Sequence, residues 1–320
     1  MNNVIAEVNR LTTEGTPFLL VIDFELQMPL LYEISSLPAG LMFATPRFRS
    51  HGPARPVTRS FTFRRHPPSK ESYSRAFRNV MVEIRHGNSF LVNLTLPTPI
   101  ETDLALADIY HLVTAKYKCC IPDKFVCFSP EIFVQIEGGR IYSYPMKGTI
   151  DATLPDAAHR ILADPKEEAE HNTIVDLIRN DLSMVADDVR VDRFRYLDRI
   201  ETRGKPLLQV SSQISGRLPA DHRSRLGEIL FTLLPAGSVS GAPKPATLRI
   251  IRESEPGPRG YYTGVMAYFD GQSLDSAVLI RFIEKRGDQY LYRSGGGITF
   301  QSDLDAEYQE LLDKVYLPIT

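Results

Sequence analysis

The chain has 320 residues, of which 43% are hydrophobic and 24% are charged, a composition that lets a globular protein bury a large core unaided. Its formal net charge is only -2 at pH 7, which excludes the strongly basic surface of a nucleic-acid-binding protein. The sequence contains no apolar run long enough to cross a bilayer, and residues 1–16 have no signal-peptide pattern, so we expect a cytoplasmic protein without membrane contact.

The amino-terminal region combines strand patterns with a basic linker. Apolar residues at 17–24 and 30–34 predict a pair of strands. The segment 47–65 is rich in arginine and proline, which predicts an exposed linker, with an anion-binding arm as the alternative. We therefore assign residues 1–68 to a short strand region and linker that belong to the same fold as the main domain, residues 69–320.

The next segment alternates helices and strands. Its predicted helices are an amphipathic one over 69–85 and a second over 104–117. Its predicted strands lie at 90–96, 125–128 and 132–136. Three cysteines, Cys119, Cys120 and Cys127, lie in apolar surroundings without metal-site spacing, which predicts buried free thiols in a reducing compartment.

A hairpin places two candidate catalytic residues at the same end of a sheet. Glu131 precedes one strand of this hairpin, and the returning strand leads to Lys147. Gly148 lets the backbone bend after Lys147, and the Thr149 hydroxyl can donate to a small anion. A carboxyl near an amine suits acid-base chemistry, although a surface ion pair would explain Glu131 and Lys147 nearly as well.

A helix that begins after Asp164 carries two carboxylates on its apolar face. Asp164 is a good N-cap, and the apolar stripe of this helix, continued backwards, reaches Glu170 and Glu167. Burying two carboxylates without compensation costs of the order of several kcal/mol. The pattern therefore requires a cation or a basic partner at this face.

The carboxyl-terminal helix repeats the arrangement. Glu307, Glu310 and Lys314 form a row along the edge of its apolar face. One Glu-x-x-Glu pair usually marks a solvated face. Two such pairs, with no cysteine or histidine at ligand spacing, indicate a hard cation, and we predict Mg²⁺ held by carboxylates, water and substrate.

The segment between these two helices predicts further walls of a pocket. The strand 207–216 has polar side chains along one face, which fits either a pocket wall or an edge strand facing water. A helix is predicted over 222–234. Ser238 then lies in a loop of small residues before another helix, where exposed amides suit an anion.

The last third predicts three strands, at 261–269, 273–284 and 289–293. Arg281 falls inside the second of these, and a guanidinium in an apolar strand needs a carboxylate from the protein or from a ligand. Gly295, Gly296 and Gly297 follow the third strand and would let the backbone approach that ligand closely.

Taken together, these segments resemble the chorismate-utilising enzymes, a family that includes anthranilate synthase large subunits, aminodeoxychorismate synthase component I, and isochorismate and salicylate synthases. The resemblance runs from about residue 70 to the end of the chain. It is carried by SPEIF at 129–133, YPMKGT at 144–149, EHNTIVDLIRNDL at 170–182, GSVSGAPK at 237–244, YYTGVMAYF at 261–269, the Arg281 strand, SGGGI at 294–298 and AEYQELLDK at 306–314.

The resemblance implies an α+β fold like that of anthranilate synthase component I, in which two large antiparallel sheets pack as a sandwich with helices outside. It implies that Glu170 and Glu310 bind magnesium directly, with Glu167 and Glu307 acting mostly through water. The metal would hold the ring carboxylate of chorismate, and Arg281 and Tyr268 would hold its enolpyruvyl carboxylate. The further substrate-binding residues that it implies are Gly148, Thr149, Ser238, Gly295, Gly296, Gly297 and Lys314.

Lys147 favours one branch of this family. Aminodeoxychorismate synthases have a similar PIKGT motif, whereas anthranilate synthases carry alanine in place of the lysine. By resemblance, the Lys147 amine adds at C2 of the ring as the 4-hydroxyl leaves with Glu131 as general acid, and ammonia then enters at C4. We therefore expect Mg²⁺-dependent synthesis of 4-amino-4-deoxychorismate, a transaminase-class reaction of p-aminobenzoate and folate biosynthesis. Because no cysteine lies in a nucleophile turn, ammonia would come from a glutamine amidotransferase subunit or from solution.

Some positions depart from the family pattern. Gln209 stands where a histidine is usual, Ile150 and Asp151 stand where an arginine is usual, and no tryptophan-binding motif is evident. The alternatives are therefore an anthranilate or isochorismate synthase of the same family, and a non-catalytic chorismate-binding or glutaminase-docking protein.

Overall fold

The computed structural model describes residues 2–51, 60–200 and 205–319. The predicted basic linker at 47–65 lies partly outside the described residues, which leave out 52–59. The helices are α1 (Asn2–Glu14), α2 (Lys70–Arg85), α3 (Leu106–Leu112), α4 (Ala157–Leu162), α5 (Pro165–Ser183), α6 (Leu226–Leu233), α7 (Gly237–Ser240), α8 (Lys244–Ser254) and α9 (Leu304–Asp313). Among the described helices, none is both long enough and apolar enough to span a membrane.

Local capping explains where several of these helices begin. The Ser69 hydroxyl accepts the Ser72 amide at 3.2 Å at the start of α2. The Asp164 carboxylate accepts the Glu167 amide at 3.1 Å at the start of α5, as the sequence predicts. Each contact satisfies a backbone donor that has no partner within its helix.

Two helix predictions differ from the structure. Helix α1 was not predicted, and the helix predicted over 104–117 ends at Leu112 because Val113 is extended and Tyr117 begins a strand. The Lys118 amine, on that strand, donates to the carbonyls of Tyr110 and Val113 at 2.8 and 3.1 Å, which holds the end of α3 against the sheet. Burial of the Tyr117 ring in the sheet therefore stabilises a strand here more than the helical spacing of the apolar residues stabilises a longer helix.

The strands form two large antiparallel sheets, which confirms the predicted α+β class. In chain order they are β1 (Phe18–Ile22), β2 (Leu30–Glu33), β3 (Met42–Ala44), β4 (Phe63–Arg65), β5 (Leu91–Thr102), β6 (Tyr117–Ile121), β7 (Phe125–Ser129), β8 (Ile132–Glu137), β9 (Arg140–Ser143), β10 (Met146–Asp151), β11 (Asp187–Ile200), β12 (Leu207–Arg217), β13 (Gly241–Ala242), β14 (Val265–Phe269), β15 (Leu274–Val278), β16 (Phe282–Arg286) and β17 (Gln289–Ile298). The first sheet has the order β10-β12-β9-β8-β15-β14-β1-β2, and β11 also pairs with β12. The second has the order β13-β5-β17-β16-β7-β6-β3, and β4 also pairs with β5.

The two sheets and the helices on their outer faces form four layers, and apolar side chains pack between them. One cluster of apolar side chains lies between the sheets, where Leu19 and Met266 of the first face Phe125 and Cys127 of the second. Helices α1, α5 and α6 cover the other face of the first sheet. Helices α2, α8 and α9 cover much of the outer face of the second, and α3 covers the rest. The helices therefore lie outside the two sheets, as the sequence predicts.

The strand predicted over 273–284 is two strands that belong to different sheets. Strand β15 lies in the first sheet and β16 in the second, and residues 279–281 connect them. Arg281 has a φ of 53°, a left-handed conformation, and its carbonyl accepts the Phe128 amide at 3.0 Å. Arg281 is therefore not inside a strand but at the crossing between the sheets.

Candidate functional site

A cavity of about 460 Å³ is lined by both sheets and by helices α5, α7 and α9. It brings together ten of the predicted site residues, which come from segments distant in sequence. They are Glu131, Lys147, Glu170, Ser238, Arg281, Gly295, Gly296, Gly297, Glu310 and Lys314. Gly148, Thr149, Glu167, Glu307 and Tyr268 are not among the residues that line it.

Lys147 projects from strand β10 towards helix α5. Its amine lies 2.7 Å from a carboxylate oxygen of Glu170. Burial alone would lower the pKa of Lys147, but the attraction of Glu170, with Glu310 and Glu167, outweighs it and raises the pKa above its usual value. Carboxylates from both α5 and α9 therefore act on this one amine.

Gly148 lets a second carboxylate of α5 come close to β10. Its φ is +80°, and a Cβ at this position would lie 2.6 Å from Glu167 Oε2. The pairing of β10 with β12 is irregular between Met146 and Thr149, so the strand bulges where Lys147 projects. Gly148 and Glu167 thus lie next to each other beside Lys147, and neither lines the cavity.

Glu131 lies in an environment that raises the pKa of its carboxyl. It lies between β7 and β8, and one of its carboxylate oxygens accepts the Ser238 hydroxyl at 2.5 Å. Burial raises its pKa, and the Ser238 hydrogen bond, Arg281 and Lys314 offset only part of that effect. A carboxyl with a raised pKa can serve as a general acid.

The acidic residues of α9 face the glycine run of β17. A Cβ on Gly296 would lie 3.2 Å from both Glu307 Oε2 and Glu310 Oε1, so the glycine makes room for these carboxylates. The Lys314 amine contacts Glu310 at 2.5 Å and the Gly295 carbonyl at 2.7 Å. The α9 side chain of Glu310 and the Lys314 side chain just after the helix therefore form part of the cavity wall.

The donor chemistry of these acids fits a hard cation, although they do not enclose one in this arrangement. Within the described residues, no three His, Cys, Asp or Glu side chains form a group that could hold a metal ion. Glu170 and Glu310 each contact a lysine amine instead. Carboxylate oxygens without sulfur or imidazole are the ligands that suit Mg²⁺, so the residues fit the predicted ion.

Arg281 supplies a cation that faces the cavity. In the part of the chain that the structure describes, no carboxylate lies within ion-pair distance of its guanidinium, which is hydrogen-bonded to the Tyr316 side chain and lies 5.7 Å from the centre of that ring. A half-buried guanidinium that has Glu131 nearby but no carboxylate in direct contact can still bind an anionic ligand. Of the two partners left open for Arg281, the structure therefore favours the ligand carboxylate.

The structure does not bring Tyr268 to the cavity. Its ring is 8% exposed and stacks on Phe48, with centroids 4.5 Å apart, in the core between the sheets. Tyr262 lines the cavity instead. Thr263, between the two tyrosines, has a left-handed φ of 58°. The chain turns there, so that the Tyr262 ring lines the cavity and the Tyr268 ring packs in the core.

Gln209 also lies away from the cavity. It sits on β12, opposite Thr149 of β10 and Asp198 of β11, and no described residue of β12 lines the cavity. Because none of its described residues lines the cavity, β12 is not the predicted pocket wall. Because it is paired on both sides, it is not the alternative edge strand either.

Sequence reasoning missed several residues of the cavity. Phe90 and Phe300 are each 70% exposed at its lining, and Asp181 and Lys244 form an ion pair of 3.0 Å beside it. Asp181 lies on the same face of α5 as Glu170, about three turns further along the helix, and this was the available signal. Phe90 begins the strand predicted over 90–96, but nothing in that pattern marks it as part of a cavity, and Phe300 follows the last predicted strand in a segment without apolar periodicity.

Comparison with known proteins gives one consistent set of matches. A family model described as chorismate binding enzyme matches residues 38–319. An uncharacterised PabA-like protein of Pasteurella multocida is 49% identical over 98% of this chain and 98% of its own length. Anthranilate synthase component 1 1 of Haloarcula marismortui is 34% identical over 77% of this chain and 52% of its own length. Aminodeoxychorismate synthase component 1 of Klebsiella aerogenes is 31% identical over 81% of this chain and 60% of its own length.

A solved structure has the same arrangement of sheets. Anthranilate synthase component I from Streptococcus pneumoniae superposes with a TM-score of 0.66 at 27% identity, over 79% of this chain and 58% of that one. The predicted likeness to that fold is therefore confirmed.

Proposed function

This chain belongs to the chorismate-binding enzyme family, and we propose that within it the chain makes 4-amino-4-deoxychorismate from chorismate and ammonia. The observation that carries this proposal is the meeting of the Lys147 amine and the Glu131 carboxyl at one cavity that also contains the cation of Arg281. An amine nucleophile, a protonated acid and an anion-binding group are the three functions that this reaction requires.

The charges around the cavity suit a substrate with two carboxylates. Arg281 would hold one of them, since its guanidinium lines the cavity and forms no direct ion pair with a described carboxylate. Mg²⁺ bound by Glu170 and Glu310, with Glu167 and Glu307 supporting through water, would supply the positive charge that holds the other carboxylate. The glycine run 295–297 would let the ring lie close to β17.

Lys147 would then carry out a covalent step. Its amine, once deprotonated, adds at C2 of the ring, the two ring double bonds shift, and the hydroxyl at C4 leaves as water with a proton from Glu131. Ammonia adds at C4 in the second half of the reaction, the two double bonds shift back, and the lysine leaves C2 as a neutral amine. The Glu131 carboxylate then takes back a proton from the nitrogen now at C4. The contact of Ser238 with Glu131 would orient the acid for both halves.

Ammonia would come from a separate glutamine amidotransferase subunit or from solution. The cysteines of the described chain, Cys119, Cys120 and Cys127, are buried and free. Burial raises the pKa of all three thiols, with that of Cys120 at about 12, so none is a nucleophile for glutamine hydrolysis.

Anthranilate synthesis is the second candidate. The relative from Haloarcula marismortui, named anthranilate synthase component 1 1, is slightly more similar in the aligned region than the aminodeoxychorismate synthase component 1 of Klebsiella aerogenes. Both reactions use the same substrate and differ in the ring position that receives nitrogen. Lys147 favours the first candidate because it offers the covalent step, which anthranilate synthesis does not require.

Chromatographic identification of the product from chorismate, ammonium salt and Mg²⁺ tests the proposal. We expect 4-amino-4-deoxychorismate, and we expect Lys147→Ala to lose it while calorimetry still detects chorismate binding. Lys285→Ala is the control, because Lys285 forms an ion pair with Asp123 at 2.7 Å and does not line the cavity. Anthranilate as the product, or full activity in Lys147→Ala, would refute the covalent route.

A further inference from the structure

Arg259 is a buried cation that the proposed reaction does not use. Its side chain is 1% exposed and lies in the segment between α8 and β14. Two of its nitrogens contact both oxygens of the Glu255 carboxylate, at 2.9 and 2.6 Å. This bidentate geometry fixes the orientation of the guanidinium plane.

The remaining donors of Arg259 reach three separate segments of the cavity wall. They donate to the Val239 carbonyl at 2.8 Å, the Asn93 carbonyl at 2.6 Å and the Thr263 hydroxyl at 3.2 Å. All three of these residues line the cavity. One guanidinium, which does not itself line the cavity, thus connects helix α7, strand β5 and the turn before β14.

The contact with Val239 leads directly to the proposed acid. Val239 follows Ser238 in the short helix α7, and the Ser238 hydroxyl donates to Glu131 at 2.5 Å. A helix of four residues has few internal hydrogen bonds, so its position depends on contacts such as the one from Arg259. The Arg259 guanidinium and the Glu131 carboxyl therefore contact consecutive residues of α7, Val239 and Ser238.

Stability alone does not account for a buried ion pair at this place. An apolar pair of similar volume is often as stable as a buried salt bridge, because both charges must be removed from water. A guanidinium that holds two carbonyls and a hydroxyl in fixed positions gives the cavity wall a defined geometry, which apolar side chains cannot give.

We propose that Arg259 is a positioning residue, which holds the Val239 carbonyl and thereby keeps the Ser238 hydroxyl on Glu131. The importance of this contact for catalysis rests on the proposed function, in which Glu131 is the acid. The contact itself can be measured without turnover.

The direction of the effect follows from the groups that face Glu131. The Ser238 hydroxyl, Arg281 and Lys314 all favour the charged carboxylate, against the effect of burial. If α7 shifts and the hydroxyl is lost, the charged form loses one of these three supports. The pKa of Glu131 then rises further.

The test is a titration of the full chain with ¹³C-labelled glutamate, followed by NMR. The Glu131 signal is identified by its absence in Glu131→Gln. We expect the midpoint to move to higher pH in Arg259→Lys, because lysine keeps the charge beside Glu255 but cannot donate to all the same acceptors. Ser238→Ala should move the midpoint in the same direction.

The double variant Arg259→Lys with Ser238→Ala separates positioning from a general structural effect. If Arg259 acts through Ser238, the midpoint of the double variant equals that of Ser238→Ala, whereas independent effects would add. Arg293→Lys is the matched control, because Arg293 is 3% exposed and pairs with Glu284 at 2.8 Å but does not contact α7. Its midpoint should equal that of the wild type.

An unchanged midpoint in Arg259→Lys, or additive shifts in the double variant, would overturn the proposal. Should Arg259→Lys fail to fold, Arg259→Met combined with Glu255→Met removes both charges together and leaves no unpaired carboxylate in the core. The same shift to higher pH is expected there, and no shift would again overturn the proposal. If the wild-type chain forms no aminodeoxychorismate, only the proposed function fails, since the titration does not depend on it.

Discussion

Two adjacent glycines of β17 provide the sharpest test of how the cavity is built. A Cβ on Gly295 would lie 2.3 Å from the Leu94 carbonyl oxygen and 2.6 Å from Thr95 Cγ2, both on the paired strand β5. The atoms nearest to a Cβ on Gly296 would be the carboxylate oxygens of Glu307 and Glu310, both at 3.2 Å. One methyl group therefore strikes fixed backbone at Gly295 and movable carboxylates at Gly296.

The expected magnitudes differ accordingly. Relief of the contact at Gly295 requires β17 and β5 to separate, and Gly295→Ala should lower the free energy of unfolding by about 3 kcal/mol, the upper range for overpacking. Gly296→Ala should leave it within about 0.5 kcal/mol of the wild type. In that variant the two α9 carboxylates must move, so the Mg²⁺ concentration for half-maximal turnover should rise, by about tenfold for a loss of 1.4 kcal/mol.

Urea unfolding measures the difference in the free energy of unfolding between Gly295→Ala and the wild type. Because the chain contains no tryptophan, unfolding is followed by tyrosine fluorescence and far-UV circular dichroism. Turnover measured against Mg²⁺ concentration gives the concentration for half-maximal turnover in Gly296→Ala and in the wild type. Equal unfolding midpoints for Gly295→Ala and the wild type would refute the close approach of β17 to β5. An unchanged Mg²⁺ dependence in Gly296→Ala would refute the role of α9 as a metal-binding helix.

Three further predictions address single side chains. Glu131→Gln should lower turnover by about 10²- to 10⁴-fold with chorismate binding kept, as for loss of a general acid. Because burial raises the pKa of Glu131, the wild-type rate should fall as the pH rises through that pKa, and a pH profile without this limb would contradict the assignment. Arg281→Gln should weaken chorismate binding by about 1.5–3 kcal/mol in calorimetry, the value of a hydrogen bond to a charged group, and unchanged affinity would exclude a contact with the substrate. Burial, with the nearby Arg195, lowers the pKa of the fully buried His171 to about 4, so stability is complete above about pH 6.5 and is lost as the pH falls towards 4. The free energy of unfolding should then be about 2 kcal/mol lower at pH 5 than at pH 7 from this residue, and an equal difference in His171→Asn would assign it elsewhere.

The parts of the site that depend on local pattern could be predicted from the sequence. Helix α5 begins after Asp164 as expected, because a capping side chain acts within one turn. Its stripe places Glu170 at the cavity but not Glu167, and the hairpin of β8 and β9 leads from Glu131 towards Lys147, which both line the cavity. Both inferences use spacings of a few residues, which helical and strand geometry fix.

The parts that depend on distant segments could not be predicted in this way. The pattern over 273–284 reads as one strand, but the second half pairs with β7 and β17 of the other sheet. Tyr262 and Tyr268 would share one face of a continuous strand, yet the left-handed Thr263 turns the first away from the second. The sequence holds no local sign of either break, since both are set by which sheet each segment joins.

The crossing at 279–281 also has a mechanical consequence. The chain passes there from a strand of one sheet to a strand of the other, and Arg281 is the last residue before it enters the second. Any sliding of the two layers against each other would displace this guanidinium relative to Lys147, which the first layer carries. An anion that bridges the two side chains would therefore resist such sliding, and heat would separate the layers less readily in its presence.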